Sequence, residues 1–166
     1  RTFKYILRTN MSSLWYWPRV MAVLKALPTA NAYAGIYVPF VNERYELLQT
    51  GFISGAGIIL SRDVAQLLVD HSAELRWHLI DDVAIGLFLI DSKIDCIKLP
   101  DESRCDFVSD TLPAPLLTSG MTCHHYRVKS ETDRLLYDGY IFSRLYHELY
   151  PRLERVGRCD QKSDAV

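Results

Sequence analysis

The stretch Phe52-Ile53-Ser54-Gly55-Ala56-Gly57-Ile58-Ile59-Leu60-Ser61-Arg62-Asp63 constrains the fold more than any other, because two glycines interrupt an apolar run otherwise suited to a buried strand. Glycine weakens a strand and marks a bulge, a bend or a place where something bulky comes close to the backbone. Further on, Ile80-Asp81-Asp82-Val83-Ala84-Ile85-Gly86 sets two acids in front of the nearly continuous apolar segment 83–90. That segment offers the carboxylates no partner of its own. Whatever satisfies them comes from elsewhere in the chain or from a ligand.

The remaining elements are read outward from this pair. Ile58-Ile59-Leu60 reads as a short buried strand, after which Ser61 caps a helix with Val64, Leu67, Leu68 and His71 on its inner face. Asp63 in its first turn suits the helix dipole. Asp81 or Asp82 starts the next helix, apolar all round and therefore central. Upstream, Phe3 to Leu7 is β-prone and feeds a polar loop, Arg8 to Ser13. Pro18 opens a helix that repeats Val20, Met21, Leu24 and Leu27 until Pro28 stops it. Ala32 to Val38 reads as a second strand, and the mixed, polar stretch from Pro39 to Gly51 as a loop. Downstream come a strand from Asp95 to Leu99, a loop from Pro100 to Gly120 containing Pro113 and Pro115, and a weakly alternating strand from Thr122 to Val128. Ser130-x-x-Asp133 then introduces a helix with Leu135, Leu136, Phe142, Leu145, Tyr146 and Leu149 inward, ended by Pro151. Strands alternating with helices give an α/β fold with a mixed sheet, one domain over 1–150 and a polar tail over 151–166.

Composition excludes several functions. With 19 basic against 20 acidic residues, no basic surface for general nucleic-acid binding is forced. No apolar run reaches the roughly 18 residues that span a bilayer, and the first residues do not read as a signal peptide. The chain starts at Arg1 and enters an apolar strand almost at once, so an upstream part of the protein is expected. Cys96, Cys105, Cys123 and Cys159 show neither a C-x-x-C pair nor zinc-finger spacing and are expected as reduced, partly buried thiols.

Ser54-Gly55-Ala56-Gly57-Ile58-Ile59-Leu60-Ser61 resembles the S-G-x-G-x-x-x-S segment of the β-1,3-galactosyltransferase and Fringe-like glycosyltransferases. Asp81-Asp82-Val83-Ala84-Ile85-Gly86 is similar to their E-D-V-x-x-G motif, in the same order and at a comparable separation. The resemblance runs through residues 3–148 and is strongest over 52–90. It implies a GT-A-like fold, a nucleotide-sugar donor and a glycan or glycoconjugate acceptor. The N-terminal half, which supplies much of the nucleotide pocket in such enzymes, would lie before Arg1. An isolated chain holding half a pocket is then expected to bind a nucleotide-sugar weakly or not at all.

Two departures from the family pattern matter. Where those enzymes carry an acidic D-x-D-type metal motif, this chain has Arg8-Thr9-Asn10-Met11-Ser12, and a hard divalent cation such as Mn or Mg prefers anionic oxygen ligands. Asn10 and Ser12 can instead hold a donor sugar or ribose by hydrogen bonds, with Arg8 neutralising phosphate; equally, Asn10 and the two serines make a turn. The second departure is Ile53, where the animal enzymes commonly carry a cysteine; its presence points to a cytoplasmic rather than a secretory location.

Matching the motif residue by residue places the proposed base at Asp82 and a supporting acid at Asp81. Inverting glycosyl transfer needs a group to take the acceptor hydroxyl's proton, and repulsion between neighbouring carboxylates favours proton uptake by one of them. The competing reading is a helix cap with a solvated neighbour. Gly55 and Gly57 would let the donor approach, with Ser54 on the acceptor side. In Cys123-His124-His125-Tyr126-Arg127-Val128-Lys129, His125 resembles by position the C-terminal histidine that ligates metal or touches diphosphate in several GT-A enzymes. Arg127 and Lys129 share a strand face suited to a diphosphate, and His125 together with Arg127 or Lys129 is expected to face the same cavity as Asn10; a solvated polar strand is the alternative. Trp15, within Trp15-Tyr16-Trp17, can stack on an acceptor sugar or pack in the core. Three functions compete: a glycosyltransferase, a carbohydrate-binding pseudoenzyme, and a structural interaction domain.

Overall fold

The computed structural model describes residues 2–41, 47–107, 121–131 and 133–151. Its elements run in the order strand β1 (Tyr5–Thr9), strand β2 (Ser13–Trp15), helix α1 (Trp17–Ala26), strands β3 (Tyr33–Val41) and β4 (Leu47–Ser61), helices α2 (Arg62–Asp70) and α3 (Asp81–Asp91), strands β5 (Cys96–Lys98), β6 (Arg104–Phe107) and β7 (His125–Val128), and helix α4 (Arg134–Leu149). The strands form two mixed sheets. The first has the order β1-β4-β3-β5, antiparallel except for the β3/β5 pair; the second has the order β2-β7-β6, with β6 and β7 parallel. The α/β class expected from the sequence is therefore the class observed.

β4 organises the first sheet. Its inward side chains Ile53, Ile58 and Leu60 pack with Tyr33 of β3, with Val64, Ala65 and Leu68 of α2 and with Leu89 of α3. Each fully buried aliphatic side chain contributes roughly 1.5–3 kcal/mol relative to exposure. Gly86 lets α3 lie close on the sheet, since a Cβ there would run into Phe52. A second core, under β7 and α4, holds Tyr126, Val128, Ile141, Leu145 and Leu149.

Several expectations are corrected. Segment 39–51 is not all loop: β3 continues to Val41 and β4 begins at Leu47, pairing antiparallel with it. Pro39 is accommodated beside a register shift, which explains why the pattern looked broken. β6 lies inside the stretch taken as loop from Pro100; of that stretch, 108–120 falls outside the described residues, as does 152–166 of the tail. Leu135 and Leu136 are 92% and 62% exposed, because α4 begins at Arg134 with Asp133 as its cap, and its buried face runs through Asp138, Ile141, Leu145 and Leu149 instead. Tyr146 is also exposed, and His71 ends α2 at the surface, paired with Glu74 at 2.7 Å. Ser61 occupies the N-cap position of α2 without capping it; its hydroxyl donates to Asp63 at 2.5 Å and accepts from the Ala32 amide at 2.9 Å. Cys105 and Cys123 are joined in a disulfide rather than reduced, which ties β6 to the start of β7; Cys96 is free.

Candidate functional site

The glycines of β4 sit in a bulge. Gly35 of β3 pairs with Ile58, but Tyr37 pairs with Ile53, so residues 54–57 of β4 face the single residue Ile36. A bulge takes backbone N–H and C=O groups out of the ladder, and buried ones must be satisfied elsewhere. They are satisfied by the residues singled out above. Asp82 Oδ2 accepts from the Gly55 amide at 2.8 Å, and the Arg8 guanidinium donates to the Gly55 carbonyl. Thr9 donates its hydroxyl to the Ala56 carbonyl at 3.2 Å, and Ser13 shares its single hydroxyl proton between that carbonyl and Asn10 Oδ1, each at 2.9 Å. Arg8 also forms an ion pair with Asp81, whose Oδ1 accepts from the Asp82 amide at 2.9 Å. Any side chain at Gly55 would collide with this group, its Cβ lying 2.6 Å from Arg8 Nη1 and 2.8 Å from Asp82 Oδ2.

The two acids start α3 as expected, and the helix then runs apolar. Asp82 is half-buried, with Oδ1 accepting from the Val83 amide at 3.0 Å, while Asp81 is exposed. Asp82 is not the N-cap of α3, a place that Ile80 takes with no side-chain hydrogen bond; from the first turn of the helix its carboxylate clasps the glycine motif instead.

On the other side of the bulge lies the second sheet. β7 presents His125 and Arg127 on one face, with Lys129 next in the alternation, while Tyr126 and Val128 point into the core behind. On β6, paired in parallel, Arg104 and Asp106 stand opposite His125 and Arg127. Arg104 holds Asp106 in a two-pronged pair, Nε to Oδ1 at 2.8 Å and Nη2 to Oδ2 at 3.1 Å, and reaches the Ser54 hydroxyl at 3.4 Å. Arg127 Nη1 approaches the same Asp106 at 3.9 Å. Sequence reasoning missed Arg104 and Asp106. Their alternating spacing, Arg104-Cys105-Asp106, was the available signal, masked by the proline-rich residues that follow.

Other expected site residues are committed to the fold. The Trp15 ring is 7% exposed, stacks on His125 with centroids 4.1 Å apart, and donates Nε1–H to Thr9 at 2.9 Å. Gly57 makes room for that ring, because a Cβ there would lie 2.5 Å from two of its carbons. His125 is 2% exposed, with Nε2 and Ser13 Oγ 2.9 Å apart, and burial, then the charges of Arg104, His124 and Arg127, push its pKa down to about 3. It is a neutral imidazole. Asn10 accepts from the Ser12 amide at 3.1 Å, a side-chain-closed turn, and from the Ser13 hydroxyl at 2.9 Å. His125 and Asn10 are thus linked through Ser13, but by a packed contact and not across an open cavity. Ser12 turns away, accepting from Arg134 at 2.8 Å; Arg134 in turn holds buried Asp138, which also receives the Ser130 amide and hydroxyl at 2.8 and 2.6 Å.

A divalent cation does not fit these residues. Among the described residues no three His, Cys, Asp or Glu side chains converge as a metal centre. Arg8, where the family carries acids, brings its own positive charge against Asp81. Open cavities of about 330 Å³ lie beside Tyr37, Gly51, Cys96 and Lys98 and beside Ser13, Trp15, Trp17 and Tyr150, and one of about 460 Å³ lies between β1 and α1, lined by Lys4, Met21, Leu24 and Lys25. Asp82 lines none of these three.

No family model and no curated protein matches the chain. Among the described residues, no helix is long and apolar enough to cross a membrane.

Proposed function

We propose that the chain is the acceptor-side part of a GT-A-type glycosyltransferase that moves a sugar from a nucleotide-sugar to a glycan or glycoconjugate, with Asp82 as the base. The observation that carries this reading is the hydrogen bond between Asp82 Oδ2 and the Gly55 amide, at 2.8 Å. It ties together the two motifs on which the family resemblance rests, although they are far apart in sequence. In this reading the acceptor hydroxyl attacks the anomeric carbon as Asp82 takes its proton, and the bond to the diphosphate breaks with its electron pair leaving on phosphate. The Gly55 contact fixes the carboxylate's orientation, and Asp81 positions Arg8. Ser54, next to Gly55 in the chain, would in this reading meet the acceptor.

The test is direct: incubate the natural full-length protein with a panel of nucleotide-sugars and glycan acceptors and follow product mass. Transfer supports the reading, and its absence across the panel sinks it. A carbohydrate-binding pseudoenzyme is the second reading, favoured by the Arg8–Asp81 pair standing where the family's metal acids would be. Lectin-like binding that persists with no donor hydrolysis would select it. The Cys105–Cys123 disulfide supports an oxidising compartment over the cytoplasm for either function.

A further inference from the structure

Residues 1–42 carry five basic side chains and no acidic one, although the whole chain has 19 basic against 20 acidic residues. Two of these cations are engaged: Arg8 pairs with Asp81, and Arg19 donates to the Cys123 carbonyl at 2.7 Å. Lys4 and Lys25 are exposed and, among the described residues, belong to no ion pair. Both line the hollow of about 460 Å³ between β1 and α1, whose walls are otherwise largely apolar, with Tyr5, Met21, Leu24 and Leu27. Met21 stands on a ridge of α1 in which Trp17, Met21 and Lys25 recur every four residues. Trp17 and Met21 are 51% and 50% exposed, while Val20 buries the opposite side of the helix. Phe3 is equally exposed, with the Arg62 guanidinium carbon 5.7 Å from its ring centre, and the Arg62 amide donates to the Lys4 carbonyl at 3.0 Å. Asp63, next in the chain, is taken up by the Asn31 amide and the Ser61 hydroxyl.

We propose that the α1 ridge and the adjoining end of β1 dock on the surface of an anionic phospholipid bilayer, with α1 lying in the plane of the interface. At ten residues α1 is about 15 Å long, half the thickness of a hydrocarbon core, so the contact is with the surface alone. Trp17, Met21 and Phe3 enter the boundary between headgroups and acyl chains, where an aromatic ring is well placed, and the hollow between β1 and α1 takes lipid methylenes. Lys4, Lys25 and Arg62 lay their stems along this apolar surface and hold their charges against the lipid anions. Two observations select this partner together. The absence of acids from residues 1–42 complements an anionic surface over a neutral one. The large apolar side chains among the cations favour a bilayer over a soluble polyanion, which would match the charge and leave Trp17, Met21 and Phe3 in water. This inference goes beyond the transferase reading and does not depend on it.

Co-sedimentation of the natural full-length protein with vesicles is the test, using phosphatidylcholine alone and phosphatidylcholine mixed with phosphatidylserine. Binding should favour the phosphatidylserine vesicles and weaken as salt is raised. A cation near such a surface is worth roughly fivefold in affinity, so Lys4→Gln combined with Lys25→Gln should weaken binding by roughly 25-fold. Met21→Ser, which leaves the charge unchanged, should weaken it severalfold, because the half-exposed side chain no longer gains an apolar surrounding. All three side chains are exposed, so the variants should keep the melting temperature of the parent. No binding to phosphatidylserine vesicles by the folded full-length protein would overturn the proposal, as it must if another part of the protein covers this face. Equal binding to both kinds of vesicle, or binding that neither set of substitutions changes, would overturn it too. Capture by polyglutamate that needs the two lysines but is indifferent to Met21, with no vesicle binding, would assign the face to an acidic peptide instead.

Discussion

Replacing Asp82 by asparagine separates its two roles, because the amide keeps the shape of the carboxylate and loses the ability to take a proton. The carboxylate now accepts two backbone hydrogen bonds, from Gly55 at 2.8 Å and from Val83 at 3.0 Å. Asparagine has one carbonyl oxygen, so one of these donors loses its acceptor. Val83 is the cheaper loss, lying in the first turn of α3, where water can replace the carboxylate. The expected cost is about 1 kcal/mol, or a fall of about 2–4 °C in Tm for a chain of this size. Asp82→Ala goes further, stranding the buried Gly55 amide as well, and should cost about 1–3 kcal/mol. Activity separates the readings far more sharply than stability does. If Asp82 is the base, Asp82→Asn should lower transfer by the full-length protein roughly 10²-fold or more. Asp81→Asn should be milder, since Asp81 acts through its pair with Arg8. Transfer should be measured with saturating donor and acceptor beside a thermal melt of each variant. Full activity in Asp82→Asn, with only the small loss in Tm, would falsify the base assignment and leave Asp82 as the clasp of the bulge.

Three further outcomes follow from the packing. Gly57→Ala should destabilise by about 1–3 kcal/mol, seen as a lower denaturant midpoint, because its methyl would lie 2.5 Å from the Trp15 ring in a filled core. Reducing the Cys105–Cys123 disulfide, or Cys105→Ser, should cost about 3 kcal/mol, judged from the length of chain it closes, and an unchanged urea midpoint after reduction would refute this. His125 has a folded-state pKa below its unfolded one, so its contribution to stability is complete above about pH 6.5 and is lost as pH falls from there towards about 3. Melts between pH 7 and 4.5 should therefore show stability falling by on the order of 1 kcal/mol per pH unit, a slope that His125→Phe reduces and that His124, also pushed down by burial, sustains in part.

The helices were legible where an apolar period met a boundary residue. Pro18 and Pro28 bracket α1, and Asp81-Asp82 stand at the start of α3. The first sheet was half legible: Ile58-Ile59-Leu60 announced a strand, but its continuation back to Leu47 passes through the glycine bulge, where alternation fails because the ladder itself is interrupted. The inner face of α4 was misplaced for a different reason. Leu135 and Leu136 fit an apolar period, yet Asp138 is the buried residue of that first stretch, since Ser130 and Arg134 supply it with hydrogen bonds that no hydrophobic pattern records. For the site, the motifs brought forward Asp82, Gly55 and Arg8, which do meet. Trp15, Ser12 and His125 were singled out for their chemistry, but burial gives them to the core, and burial depends on partners distant in sequence. Arg104 and Asp106 matter only because β6 lies beside β7, a pairing no local pattern announces.

Between β1 in one sheet and β2 in the other the chain has only Asn10, Met11 and Ser12. At most about 3.6 Å of reach per residue gives the sheets a short tether. Asn10 shortens it further by folding its side chain back onto the Ser12 amide and the Ser13 hydroxyl. The sheets are pinned at this corner: Ser13 reaches back to the Ala56 carbonyl and the Trp15 ring lies on Gly57, so the strand carrying Arg8 and the strand carrying Ser13 are held against the same glycine-bearing stretch.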